Sequence, residues 1–273
     1  MPRLPLEDNY TDVIGKAQRG LKVGDAELAE LAGVSRADLA AVKTGRPIDA
    51  VVRRIARHLK LDPDALEDMA HGRWYPEQPR FRSGFAMFNA PFEDMTVNSY
   101  LIWDPRERTG AVFDTGPNCD ELLDVVRAEK LRVLYIFLTH THEDHILALP
   151  KLAASTEAEV WSSCLEPVDF PKARTFTENA HFHIGAIAIK TLFTTGHSPG
   201  QTTFFVTGLG RPIAFVGDSL FASSMGGSAT HYAEQHRNDR QKIFSLPRDT
   251  VLACGHGPLT SVAQELRHNP FFV

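Results

Sequence analysis

Cysteine is scarce. Cys119, Cys164 and Cys254 are the only three in 273 residues, and no two stand in a C-x-x-C spacing. That excludes a disulfide framework and a zinc ribbon, and it fits a reducing, cytoplasmic compartment. No apolar run approaches the roughly 18 residues of a membrane span. Residues 1–20 lack the apolar core of a secretory signal, so no membrane partner is expected. Positive charge is in deficit too: 29 Lys and Arg face 34 Asp and Glu, a net of −5. This balance does not draw a protein onto nucleic acid or anionic lipid. What remains is an ordinary globular composition, 43% hydrophobic and 23% charged, long enough for one large domain or two smaller ones.

Residues 1–75 read as helical. The run Asp25 to Ala32 carries apolar residues at helical spacing. Gly33-Val34-Ser35 breaks it, and Ser35 is a good N-cap for a second short helix from Arg36 to Thr44. Gly45 and Pro47 stop that helix. A third, Ala50 to Lys60, has Val51, Val52, Ile55, Ala56 and Leu59 on one side, and Pro63 suits the first turn of another. The stretches Leu28–Ser35, Gly45-Arg46-Pro47 and Ile55–Leu61 resemble the Cro/phage-repressor (XRE-like) helix-turn-helix family over about 50 residues. Charge argues against the DNA binding this implies. Residues 1–70 hold 11 Lys and Arg against 12 Asp and Glu, without a basic footprint. The second helix offers Arg36, Asp38, Ala40, Ala41 and Lys43, a meagre set for reading base edges. Nucleic-acid binding through residues 1–75 is therefore the lesser alternative to a docking, lid or homodimer role.

Residues 76–83 are the expected linker, with two prolines and no periodicity, joining the helical domain to a second domain over 84–273. There the pattern turns to strands: Asn98–Trp103, Gly110–Asp114, Val133–Leu138, Ala158–Ser162, Ile184–Phe193, Thr202–Val206, Pro212–Val216 and Thr250–Ala253. Helices are expected at Cys119–Glu129, Ala148–Ser155 and Gln235–Phe244. The alternation predicts an α/β fold.

The strand Val133–Leu138 delivers Thr139-His140-Thr141-His142-Glu143-Asp144-His145 at its tip. His140 and His142 stand two apart and project to the same side of extended backbone, so both can ligate one ion. Asp144 and His145 can turn toward a second. Asp114, His197, Asp218 and His256 share this context, each at the end of an apolar strand with a glycine nearby.

The set H-x-H-x-D-H, then His, Asp and His, resembles the metallo-β-lactamase superfamily over residues 84–273. Gly196–Thr202, Gly217–Phe221, Gly255-His256-Gly257-Pro258 and Asn269-Pro270-Phe271 are most similar to its glyoxalase II-like branch. The resemblance implies an αββα sandwich with the site at one edge of its two sheets. It implies that His140, His142 and His197 hold one metal and that Asp144, His145 and His256 hold the other. Asp218 would bridge the two, and Asp114 would orient a ligand from behind. Asp144 and Asp218 would thereby be the catalytic carboxylates. Imidazole and carboxylate ligands without cysteine favour two divalent ions, Zn²⁺ before Fe or Mn. Two such ions can share a hydroxide that attacks a polarised carbonyl. The expected reaction is hydrolysis of a small-molecule thioester or ester.

Other polar residues separate more weakly. His231 and Tyr232 follow the bridging Asp, where relatives border their substrate, and are the candidate substrate contacts. Gly226–Thr230 departs from the Gly-Arg-x-Asp-like element of many relatives, which puts their substrate specificity in doubt here. His181 and His183 read as surface, Cys254 as packing, and Glu143 as exposed. The chain runs 17 residues past His256, too few for the C-terminal helices with which glyoxalase II holds glutathione, so a small thioesterase or esterase is favoured. The alternatives are a persulfide dioxygenase with a single Fe²⁺ on two His and one Asp, and a DNA-binding regulator with a metal-sensing domain.

Overall fold

Local signals set the helices. In a computed structural model, which describes residues 3–273, the chain is helical up to residue 70. α1 (Tyr10–Leu21) opens on a capping box: Asn9 accepts from Thr11 N and Asp12 N, and the Asp12 carboxylate takes the Asn9 N–H. α2 (Asp25–Ala32) ends at Gly33, whose φ of +61° is the left-handed cap that glycine adopts without strain. α3 (Arg36–Lys43) starts on Ser35, which accepts from Asp38 N. α4 (Asp49–His58) and α5 (Pro63–Ala70) follow, the latter capped by Asp62 with Pro63 in its first turn. Lys43 is ion-paired back to Asp25, so one of α3's two cations is engaged within the unit.

Residues 71–84 carry no regular element but are tied down. Trp74 stacks on His268, Tyr75 donates to Leu4 O, and Gln78 donates to Leu259 O.

Two six-stranded sheets follow. The first takes β1 (Phe85–Phe92), β2 (Met95–Asp104), β3 (Thr109–Phe113), β4 (Arg132–Phe137), β5 (Glu159–Ser163) and β6 (Arg174–Phe176) in that spatial order. α6 (Asp120–Ala128), α7 (Glu143–Ile146) and α8 (Leu149–Thr156) are inserted along it. The second contains β7 (His181–Ile184), β8 (Ile187–Phe193), β9 (Thr202–Thr207), β10 (Ile213–Gly217), β13 (Val251–Cys254) and β14 (Thr260–Ser261), in the order β14-β13-β10-β9-β8-β7. A small hairpin, β11 (Leu220–Phe221) with β12 (Ser224–Met225), follows β10. α9 (Tyr232–Asn238), running into a π turn at Asp239–Ile243, and α10 (Val262–His268) complete the chain.

Strand alternation then makes the layers. Tyr100, Ile102 and Phe113 of the first sheet meet Phe204, Phe215 and Ala253 of the second in one core. The first sheet's other face, with Leu101, Val112 and Ile136, is covered by Leu122 of α6 and Leu152 of α8. The second sheet turns Ala214, Val216, Leu252 and Cys254 outward. There they share a core with Val13, Ile14, Leu28, Val52 and Leu66 of α1, α2, α4 and α5. The N-terminal helices thus form part of the outer layer of an α-β-β-α sandwich.

The run Ile184–Phe193, expected as one strand, is a hairpin. Gly185 takes φ +53° and Asp104 Oδ2 accepts the Ala186 N–H, so the chain reverses after Ile184. His181 and His183 lie on the exposed face of the resulting edge strand β7. The helix expected over Gln235–Phe244 starts earlier, at Tyr232, and loosens to a π turn after Asn238.

Candidate metal centre

The site forms where strands of both sheets end together. β3 and β4 run parallel, as do β10 and β13, so their carboxyl ends point the same way within each sheet. Asp114 follows β3, His140 to His145 follow β4, His197 follows β8, Asp218 follows β10 and His256 follows β13.

Three groups of ligand atoms result, each within 4.8 Å: His140, His142 and His197; His140, His145 and Asp218; Asp144, His145 and His256. Asp218 sits between them. Its Oδ1 is 3.3 Å from His145 Nε2, and its Oδ2 is 3.3 Å from His256 Nε2 and 3.6 Å from His197 Nε2. Asp144 Oδ2 lies 3.3 Å from His145 Nε2 and 3.4 Å from His256 Nε2.

Four rings are fixed from behind. Nδ1 of His140 faces Thr139 Oγ1 at 3.0 Å, that of His145 faces Asp114 at 2.9 Å, that of His197 faces Gly227 O at 3.0 Å, and that of His256 faces Thr96 O at 2.8 Å. Outer hydrogen bonds of this kind choose the ring orientation and leave Nε2 for a metal. His142 differs: it is exposed, and its Nδ1 faces inward, 3.1 Å from His197 Nε2.

Backbone crowding holds the carboxylates. A Cβ on Gly255 would fall 2.0 Å from Asp218 Oδ1, and one on Gly226 would fall 1.8 Å from Asp218 O. Only glycine lets these loops close on Asp218.

The electrostatics are those of a ligand cage. Burial lowers His140 far below the usual imidazole range, and the neighbouring imidazoles add to that. Burial also opposes charge on His145 and His256, yet Asp218 with Asp114 or Asp144 outweighs it and pushes them up to about 10 and about 11. Asp218 goes the other way. Burial raises it, but His256 and His145 hold it well below the carboxylate range.

A metal pair fits this cluster on its own chemistry. Among the described residues, Nε2 of His140, Nε2 of His145 and Oδ1 of Asp218 are buried without a hydrogen-bond partner. Such atoms are costly unless something binds them, and a divalent cation is the partner that imidazoles and carboxylates share.

One supporting residue carried no sequence signal. Glu166, after β5, accepts from Thr141 N and Oγ1 on one oxygen and from Ser198 Oγ and Gly200 N on the other. It ties the His140–His142 loop to the His197 loop. Burial pushes its carboxyl up, but the donors from Ser198, Thr141 and Gly200 bring it below its usual range. It lacks the glycine that flags the other strand-end residues, so nothing local distinguishes it.

The two candidate substrate contacts, His231 and Tyr232, follow a loop that is bonded to the His197 loop through Gly227 and Ser228. His231 is exposed and pairs with Glu234 at 3.3 Å. The Tyr232 ring packs where a Cβ on Gly20 of α1 would fall 2.2 Å from it, and burial lifts its phenol to about 12. Glu143 is exposed and Cys254 is fully buried. Glu7, ahead of α1, lies behind the centre: its Oε2 is 4.0 Å from Nδ1 of His256, the nitrogen turned away from Asp144 and Asp218. Its carboxyl is raised by burial, against the lowering influence of His256.

The profile of the metallo-beta-lactamase superfamily matches residues 93–256, more than half of the chain and the whole span from His140 to His256. The chain belongs to the metallo-beta-lactamase superfamily. Helices α1 to α5 lie outside the match. Among curated relatives of this superfamily member, the probable metallo-hydrolase YqgX of Bacillus subtilis is 29% identical over 203 residues, 66% of this chain and 94% of that protein. The hydroxyacylglutathione hydrolase GloC of Haemophilus influenzae is 27% identical over 204 residues, 66% of this chain and 95% of that protein. Among solved structures, BLEG-1, a B3 metallo-beta-lactamase, superposes with a TM-score of 0.61 at 27% identity, covering 69% of this chain and 100% of its own. ETHE1 from Myxococcus xanthus superposes with a TM-score of 0.60 at 25% identity, covering 68% and 83%. Among the described residues, no helix is long and apolar enough to cross a membrane.

Proposed function

We propose that this protein hydrolyses a small-molecule thioester or ester at a binuclear metal centre. The observation that carries the reading is the convergence of ligand atoms from His140, His145 and Asp218, unpartnered among the described residues, in a cluster of five imidazoles and two carboxylates. The likeness to a hydroxyacylglutathione hydrolase supports the thioester class.

His140, His142 and His197 would hold one ion, Asp144, His145 and His256 the other, and Asp218 both. Zn²⁺ suits these ligands, with Fe or Mn as alternatives. Such ions supply Lewis acidity toward a carbonyl and acidify water to near-neutral pKa. The protein's own part is orientation. Asp114 and Thr139 fix the His145 and His140 rings, and Glu166 fixes the loops. The Asp144 and Asp218 carboxylates would balance the charge of the cations and serve as the catalytic carboxylates that accept a proton from water.

The test is metal content with turnover. The full chain should bind two equivalents of zinc and cleave acyl-thioesters such as S-lactoylglutathione or simple acyl esters. Asp218→Ala should lose metal and lose turnover by at least about 100-fold. Two bound zincs with no cleavage of any ester or thioester would sink the reading.

One observation favours a second reading, a persulfide dioxygenase with a single iron. Among the described residues, His142 alone of the five imidazoles has no outer hydrogen bond to orient it, and that reaction does not need it. The likeness to ETHE1 runs the same way. One iron per chain after anaerobic purification would favour this alternative; two zincs would oppose it.

A further inference from the structure

One side chain joins the loops that carry Asp218 and His197. Gln235 of α9 is fully buried, and its Nε2 donates to Ser219 O and to Gly226 O, each at 3.1 Å. Ser219 follows Asp218 in the chain. Gly226 lies against both ligands: a Cβ there would fall 1.8 Å from Asp218 O and 3.1 Å from His197 Nδ1. The backbone of Gln235 bears on the His197 loop as well. A Cβ on Gly196, which precedes His197, would fall 2.3 Å from Gln235 Cβ and 2.6 Å from its Cα. Neighbours on α9 brace the same loop. Thr195 Oγ1 donates to Glu234 Oε1 at 2.6 Å, and Asn238 Nδ2 donates to Thr195 O at 2.8 Å. The helix is backed in turn by the helical unit, through the Tyr232 ring packed against Gly20 of α1.

We propose that Gln235 is a positioning residue for the metal centre, which sets Asp218 and His197 relative to each other by acting on the backbone of their loops. A primary amide suits the task because its nitrogen carries two hydrogens, one for each carbonyl. An ionised carboxylate of the same length would offer no donor, asparagine would be one methylene short, and methionine would fill the space with no N–H. Groups behind metal ligands govern affinity because the ligand atoms must be held in a narrow geometry. Through α9 the helical unit outside the superfamily match would then buttress the centre. This role rests on the binuclear reading of the site, and metal affinity measures it without turnover.

The experiment uses the full chain, metal-free and loaded with zinc or with cobalt, whose visible absorption reports ligand geometry. Gln235→Met keeps the volume and removes both donors. Gln18→Met is the matched control: Gln18 is a buried amide of α1 that donates to Val23 O at 3.2 Å and to Asp25 Oδ1 at 2.9 Å, within the helical unit. Each variant loses two hydrogen bonds, so melts of the metal-free proteins should fall alike. Only Gln235→Met should lose metal affinity, by at least about 10-fold in competition with a chelator, and show a changed cobalt spectrum. Gln235→Glu, which keeps the length with at most one donor, should lose affinity as well. Wild-type affinity and spectrum in Gln235→Met overturn the proposal, as does an equal loss of affinity in Gln18→Met. Failure of both Gln235 variants to fold overturns it too, because the residue would then serve the fold at large. A wild type that takes up no metal removes this role together with the binuclear reading. A metal-binding wild type that cleaves no ester or thioester removes the hydrolytic reading alone.

Discussion

Asp114 Oδ2 lies 2.9 Å from His145 Nδ1, while Oδ1 of the same carboxylate accepts the Thr139 N–H at 2.8 Å. One buried side chain therefore fixes a ligand ring and the strand tip that delivers His140. Asp114→Ala should weaken metal binding by about 10- to 100-fold, measured by competition with a chromophoric chelator. Asp114→Asn should fall between, because its amide retains one acceptor oxygen. Wild-type affinity in the alanine variant would show that the pair does not matter.

Steric exclusion gives a sharper contrast. Gly255→Ala would place a methyl group 2.0 Å from Asp218 Oδ1 and 2.8 Å from His145 Cε1. Metal content should collapse. Gly24→Ala is the control, since nothing lies within 4 Å of its Cβ and its φ of −79° suits any residue. Its stability should change by no more than about 0.5 kcal/mol. Inductively coupled plasma measurements and denaturant melts read both.

Glu166 accepts four hydrogen bonds from two loops. Glu166→Ala leaves those donors unpaired, and stability should drop by about 1–3 kcal/mol. Loosened loops should also weaken binding at the His140, His142 and His197 position. Urea unfolding of the metal-free protein and metal titration separate the two effects.

Glu265 supplies a pH signature away from the metals. Burial raises its carboxyl to about 7, against donors from Thr260, Asn269 and Ser223. Between the ordinary value of 4.5 and 7, the folded protein holds a proton that the unfolded chain has released. The stabilising contribution is therefore complete below 4.5 and is lost as pH rises through 7, by on the order of 3 kcal/mol. Glu265→Gln should flatten that part of the stability curve. Unfolding free energies at pH 5 and pH 8 test it, and an unchanged slope would count against the assignment.

The sequence made some of this legible. His140, His142, Asp144, His145, His197, Asp218 and His256 announce themselves because strand ends are readable from apolar runs and glycines permit the loops that bring them together. The helices were readable through their end signals, as at Ser35 and Pro63. Glu166 and Glu7 were not, because their proximity to the centre depends on how distant segments pack. The surroundings of Tyr232 were hidden for the same reason: its ring lies against Gly20, 212 residues earlier in the chain. Pattern also could not say which partner would cover Leu252 and Cys254, only that they alternate with Val251 and Ala253.

That shared core has a consequence for how the protein is made. The helices of the first seventy residues are synthesised first, but their apolar faces close against Val216, Leu252, Phe271 and Phe272. On the ribosome the helices can pack on one another, but the face that meets the second sheet stays uncovered until nearly the last residues have emerged. A nascent chain halted before residue 250 should therefore be protease-sensitive in its helical part, and should become resistant only when the second sheet arrives.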